Sequence, residues 1–164
     1  VKPEQLIKAL ELMPHPEGGH FRETYRAGAQ VPTPRGPRSA STAILFLLAA
    51  GEFSHWHRIH SDEAWHHHGG GRLLIHELSP AGTVRRTALG LDLDAGEQPQ
   101  HVVPAGHWFA AEPAPATPWS LVSCTVAPGF DFDDFELASP RALELHAADL
   151  NAQCPHWRQL CLNP

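Results

Sequence analysis

The chain has 164 residues, 42% of them apolar and only 18% charged, with 16 prolines and 13 glycines. That length suits one domain with a proper core and not two, and so much proline and glycine favours short strands and tight turns over a helical bundle. A formal net charge of -6 without any run of Lys or Arg argues against a nucleic-acid surface or an anionic-membrane binder.

In chain order, Pro3 to Leu12 is predicted to be a short helix, with proline in its first turn and Leu6, Ile7, Leu10 and Met13 at helical spacing on one face. Pro14-His15-Pro16-Glu17-Gly18-Gly19 ends it, and the two glycines permit a close backbone approach because they carry no Cβ. Phe21 to Arg26 follows as a strand. Ala29 to Arg38, rich in Pro, Gly and Arg, reads as a loop. Ser41 to Ala50 is the strongest apolar run and is assigned to a buried strand, in keeping with the hairpin pattern after it. Shorter strands are predicted over Phe53 to His57, Glu63 to His67, Arg72 to Leu78, Thr83 to Leu89, His101 to Val103, Trp108 to Ala111 and Trp119 to Val126. Gly69-Gly70-Gly71, Pro80-Ala81-Gly82 and Pro104-Ala105-Gly106 supply turns between them. Ser139 caps a second helix, which Pro140 starts and Arg141 to Leu150 continues. The pattern predicts an all-β sandwich or barrel, one domain over residues 1–150, with a tail at 151–164 laid on it by Trp157 and Leu160.

The N-terminal Val1-Lys2-Pro3-Glu4 lacks the apolar run of a secretion signal, and no stretch of about 18 apolar residues is present to span a bilayer. The expectation is a cytoplasmic protein with reduced thiols, Cys124 buried and inert within a strand; Cys154 and Cys161 could pair with each other, and two free thiols in the C-terminal tail is the favoured reading.

Six of the 13 histidines lie between positions 55 and 68. Residues two apart in a strand share a face, so His55 and His57 are expected to point together, with Glu63 returning beside them on the next strand. Two imidazoles and a carboxylate inside a barrel suit one divalent transition metal ion, iron, manganese, nickel or zinc, which makes His55, His57 and Glu63 a candidate ligand set. The same residues suit a metal-free polar pocket or a hydrogen-bonded core, and the three readings stay open. His66 and His68 point opposite to His67, so only part of that run reaches a pocket. Arg22 and Thr24 share one face of their strand, with Glu23 and Tyr25 on the other; they either add polar groups to the pocket or pair at a dimer edge. Gly129 to Phe135 alternates aromatic and acidic residues and reads as packing that closes a barrel end.

Gly51-x3-His55-x-His57-x5-Glu63-x6-Gly70 resembles the first motif of the cupin superfamily. Pro104-x-Gly106 resembles the start of the second, whose metal-binding members place a histidine three residues after the glycine. Phe109 stands there, and His107, of the same strand parity, is the nearest substitute. The segments Pro14 to Tyr25, Ser41 to Ile44, Ser54 to Trp65, Val102 to Gly106 and Cys124 to Glu136 are similar to an uncharacterised cupin subfamily, the cupin-5 domains of unknown function. This resemblance implies a double-stranded β-helix (a cupin jelly-roll barrel) with short flanking helices at both termini. It further implies a homodimer, similar in shape to dTDP-sugar epimerases and ligand-binding seed-storage cupins. It implies no established reaction.

Three functions fit. In the first, an epimerase- or isomerase-type enzyme uses His57 as base on a carbohydrate-like or carboxylate metabolite, with Asp62 or Glu63 orienting the ring and Tyr25 as acid. His55, His67, Arg22, Thr24, His107 and Phe109 then contact the ligand. The second is a metal-dependent oxygenase or isomerase, and the third a non-catalytic binding module. Each takes a small molecule as partner, with neither nucleic acid nor membrane. No dinucleotide, P-loop or GxSxG motif is present to suggest other chemistry.

Overall fold

The computed structural model describes all 164 residues. Its strands, in chain order, are β1 (Met13–Pro14), β2 (His20–Arg26), β3 (Gln30–Val31), β4 (Arg38–Ser39), β5 (Thr42–Ala49), β6 (Ser54–Arg58) and β7 (Asp62–Gly70). They continue with β8 (Leu73–Leu78), β9 (Val84–Leu89), β10 (Gln100–Val103), β11 (Trp108–Pro113), β12 (Trp119–Ala127) and β13 (Glu136–Leu137). A six-stranded sheet runs β1-β2-β5-β12-β7-β10 and a five-stranded sheet runs β13-β6-β11-β8-β9, both antiparallel. Strands distant in sequence thus become neighbours, as a jelly roll requires.

Two apolar layers hold the molecule together. Phe46, Leu48, Trp65, Leu73, Ile75, Phe109 and Val122 come from both sheets and fill the barrel interior. The other face of the five-stranded sheet, with Trp56, Leu78, Trp108 and Ala110, is covered by the C-terminal segment through Leu143, Leu150, Trp157 and Leu160. β11 shows why one strand serves both layers: Phe109 and Ala111 point in, Trp108 and Ala110 point out. Trp56 Nε1 also donates to the Trp157 carbonyl at 3.0 Å, which fixes the tail on the barrel.

The helices are shorter than their patterns predict. Helix α1 (Pro3–Ala9) stops before Leu12, where Glu11 takes a φ of 54°. The helix expected over Arg141 to Leu150 divides into α2 (Pro140–Leu143), a 3-10 turn and α3 (Ala147–Gln153). The Ala29 to Arg38 loop contains the small β3–β4 ladder, and Arg35 and Arg38 each meet the buried carboxylate of Asp134 at 2.8 Å. That pairing anchors the aromatic–acidic segment across the barrel end, where Phe130 and Phe132 line a cavity. No helix is long and apolar enough to cross a membrane.

Candidate functional site

Between the two sheets, at the end closed by Phe130 and Phe132, lies a cavity of about 280 Å³. Its deepest polar groups are Glu17, His57, Glu63 and Cys124, all buried; Glu23, Arg26 and Asp131 stand nearer the mouth. Glu17 arrives from the turn before β2. Gly18 sits there at a φ of 102°, and a Cβ on it would fall 1.9 Å from the Phe53 carbonyl oxygen, so only glycine lets the turn lie against the start of β6. The His55 amide donates to the Glu17 carbonyl at 2.7 Å, docking the two segments. The Glu17 side chain then accepts from Ser54 Oγ at 3.0 Å and meets His57 Nε2 at 3.1 Å.

Hydrogen bonding assigns the protons. His57 Nδ1 lies 2.7 Å from the His55 carbonyl, which only accepts, so Nδ1 carries the hydrogen and Nε2 of the neutral ring, 3.1 Å from Glu17 Oε2, carries none. Burial pulls the His57 pKa down to about 4 and pushes that of Glu17 upward. Burial thus disfavours the charged form of both the imidazole and the carboxyl, which stand 3.1 Å apart. Burial first, and then the nearby Glu17, raises the Glu63 pKa to about 8, while a hydrogen bond with Cys124 works the other way. Burial drives the Cys124 thiol far up in turn, which fits an inert thiol. His15 accepts from the Glu17 amide through Nδ1 at 3.0 Å, and its ring packs edge-on against Phe21.

The structure brings His57 and Glu63 together and disperses the other predicted residues. His55 does not share the His57 face: β6 is bulged where Phe109 pairs with His57 and Ala111 with Ser54, so that His55 and Trp56 lie opposite the single Ala110. His57 faces the cavity, Ser54 points to the Glu17 carboxyl, and His55 turns to the tail, its Nδ1 3.2 Å from the Leu160 carbonyl. Tyr25 is also misplaced by a bulge, between Glu23 and Tyr25 in β2; it is 55% exposed, and Arg26 lines the cavity in its stead. Arg22 pairs with Glu11 outside the barrel, and Thr24 bonds the Ala43 carbonyl. His67 has the inward parity of Glu63 but lies at the far end, with Nε2 3.0 Å from the Gly71 carbonyl. His107 stands by the buried Glu77, which His101 also contacts, and not in the cavity. Phe109 packs on His57 at a centroid distance of 4.1 Å. Asp62, a proposed ring orienter, caps the Ala105 amide instead; Glu17 holds that place. Glu17 was legible only as a carboxylate between a proline and two glycines.

A metal held by His55, His57 and Glu63 does not fit these residues. One ligand has left the cavity, Phe109 occupies the position of the usual fourth, and His57 Nε2 is engaged by Glu17. The one cluster of His, Cys, Asp or Glu whose ligand atoms lie within 4.8 Å of one another is His76, Glu112 and Cys154, on the outer side of the five-stranded sheet.

Comparison with known proteins agrees with this architecture. The chain is 34% identical to a hypothetical protein from Leishmania major, with a TM-score of 0.80 over 98% of this chain and 97% of that one. It is 42% identical to a Shewanella oneidensis protein, with a TM-score of 0.79 over 97% and 94% of the two chains. The uncharacterized protein YML079W of Saccharomyces cerevisiae is 32% identical over 151 residues, 80% of this chain and 72% of that protein. Oxalate decarboxylase from Bacillus subtilis shares the fold alone, at 13% identity and a TM-score of 0.57 over 85% of this chain and 33% of the larger one. The family model of the cupin superfamily (DUF985) matches residues 4–138, and the chain belongs to that family, its barrel bearing a His, Glu and Cys cluster of a kind that could hold a metal ion.

Proposed function

We propose that the barrel cavity binds a small polar metabolite and moves a proton on it, in the manner of an isomerase or epimerase acting at a C–H beside a carbonyl. The observation that carries this reading is the pairing of two buried carboxyls, Glu17 and Glu63, around His57, with no lysine or arginine at the cavity floor. Burying two carboxyls without a cation costs stability, and such groups gather where proton transfer uses them. Moving the Glu17 carboxyl proton from Oε2 to His57 Nε2, 3.1 Å away, leaves a carboxylate facing the ligand. That carboxylate takes the substrate proton, so His57 acts as base through Glu17. Glu63, protonated at neutral pH, donates a hydrogen bond to the developing oxyanion. The negative charge formed on the ligand is balanced by the imidazolium. Arg26 at the mouth, already held by Glu23 at 2.7 Å, provides a cation for a ligand carboxylate or phosphate.

The protein is read as a cytoplasmic homodimer. Exposed apolar side chains on the six-stranded sheet, such as Tyr25 and Val102, would be covered in it, and sedimentation velocity tests this. The function is tested with a panel of small keto and aldehyde sugars and 2-oxo carboxylates in deuterated water, followed by proton NMR. The native protein should exchange one C–H of a panel member. Glu17→Gln and Glu63→Gln should slow exchange by about 100-fold or more while ligand-observed NMR still detects binding. A panel member that binds and is released without exchange would make the cavity a non-catalytic binding site and end the proposal.

A further inference from the structure

Outside the barrel, the C-terminal segment meets the five-stranded sheet through polar groups that the cavity chemistry does not use. β8 and β11 are antiparallel, with His76 opposite Ala110 and Leu74 opposite Glu112. His76 and Glu112 are therefore diagonal neighbours on the outer face. The turn after α3 lays Cys154-Pro155-His156 directly over them. Glu112 Oε1 lies 3.0 Å from His76 Nε2 and 2.7 Å from His156 Nε2. Cys154 Sγ lies 4.0 Å from His76 Nε2 and 3.8 Å from His156 Nε2.

We propose that His76, Glu112, Cys154 and His156 form a four-coordinate zinc(II) site that clasps the C-terminal segment to the barrel wall. Two imidazoles, a thiolate and a carboxylate are all zinc donors, and together they offer the four ligands of a closed tetrahedral site. With bonds of about 2.0–2.3 Å, a tetrahedral ion sets its donors roughly 3.3–3.6 Å apart. His76, Glu112 and Cys154 already hold their ligand atoms within 4.8 Å of one another, and the half-exposed His156 ring, outside that group, swings toward His76 to complete the shell. Donors also come from three separate places in the chain, so the ion would cross-link elements that local sequence does not join. His76 and Cys154 are buried, which fixes half of the shell. His156 is 40% exposed at its side chain and lines, with Glu112, an open cleft through which an ion enters. On binding, the Cys154 thiol releases its proton to solvent and the imidazoles bind as neutral ligands.

The experiment uses the full chain, purified without a metal-affinity tag and stripped with chelator. Cobalt(II) and zinc(II) are titrated separately, by absorption and by calorimetry. The expected result is one ion per chain, with a thiolate-to-cobalt charge-transfer band in the near ultraviolet. That band should persist in Cys161→Ser and vanish in Cys154→Ser. His156→Ala, a half-exposed site whose loss leaves the core intact, should weaken zinc binding by about 100-fold or more, since even outer-shell changes reach about that size. Zinc should also slow tryptic cleavage at Arg141 and Arg158 in the native chain and not in His156→Ala. Substoichiometric uptake, cobalt binding without the thiolate band, or affinity unchanged in both variants would each overturn the site. Zinc binding that survives these variants but falls in His57→Ala would move the metal into the barrel, with the same consequence.

Discussion

Replacing Glu63 with glutamine removes a titrating group while keeping its shape, and so isolates the electrostatics of the cavity floor. Glu63 is 7% exposed, and burial and then Glu17 raise its pKa from an ordinary 4.5 to about 8. The folded carboxyl stays protonated through neutrality, whereas in the unfolded chain it ionises near 4.5. A raised folded pKa contributes stability that is complete below 4.5 and is lost as pH rises to about 8. At about 1.4 kcal/mol per pH unit, that interval corresponds to at most about 5 kcal/mol, and water entering the mouth lowers it to roughly 3–5 kcal/mol. Glutamine is neutral at every pH and has no such loss. Urea denaturation of both proteins between about pH 5 and about pH 8.5 should show Glu63→Gln gaining on the native chain by about 1–1.4 kcal/mol per unit, then levelling off. Titrating groups other than Glu17, whose charge acts on Glu63, cancel in the difference. A difference that stays level across the whole interval would mean that Glu63 ionises as it does in water, and the proposed acid would be a carboxylate at neutral pH.

Two further perturbations test the scaffold. Gly18→Ala adds a Cβ 1.9 Å from the Phe53 carbonyl at a φ of 102°, so it should destabilise the fold by about 2 kcal/mol or more and draw Glu17 away from His57. A denaturation midpoint equal to the native one would refute the close approach. Trp157→Ala empties a fully buried position in the outer layer and should cost about 3–5 kcal/mol, with tryptic cleavage at Arg158 accelerated. Cleavage at the native rate would show that the tail is held without this side chain.

Where the sequence was informative, its signals were local ones. Thr42–Ala49 is bounded by turn residues and rich in strand formers, and it is a central strand of the larger sheet. Parity was the fragile step. A period of two assigns His55 to the face of His57 and Tyr25 to the face of Phe21, and one extra residue in β6 and in β2 reverses both assignments. Nothing in Ser54-His55-Trp56-His57 marks the bulge. The preference of Trp56 for the apolar layer beneath the tail, together with the Glu17–Ser54 bond, decides it in three dimensions. Glu17 and the outer cluster were hidden for another reason: Glu17 is 40 positions before His57, Cys154 is 78 beyond His76, and local spacing carries no trace of such contacts.

The absence of a histidine at position 109 and the departure of His55 have one chemical consequence. A metal-binding cupin pocket neutralises its carboxylate with a cation. In this chain Phe109 lies against His57, and the carboxyl added beside it, Glu17, brings no positive charge. Two carboxyls near one another in a desolvated pocket cannot both ionise cheaply, so protons take the place of the missing cation. Burial favours the protonated form of Glu17 beside His57, and Glu63 holds its proton up to about pH 8. The changes that remove the metal ligands are thus the same ones that load the cavity with transferable protons, which is why proton transfer, and not metal chemistry, is the reading these residues favour for the barrel.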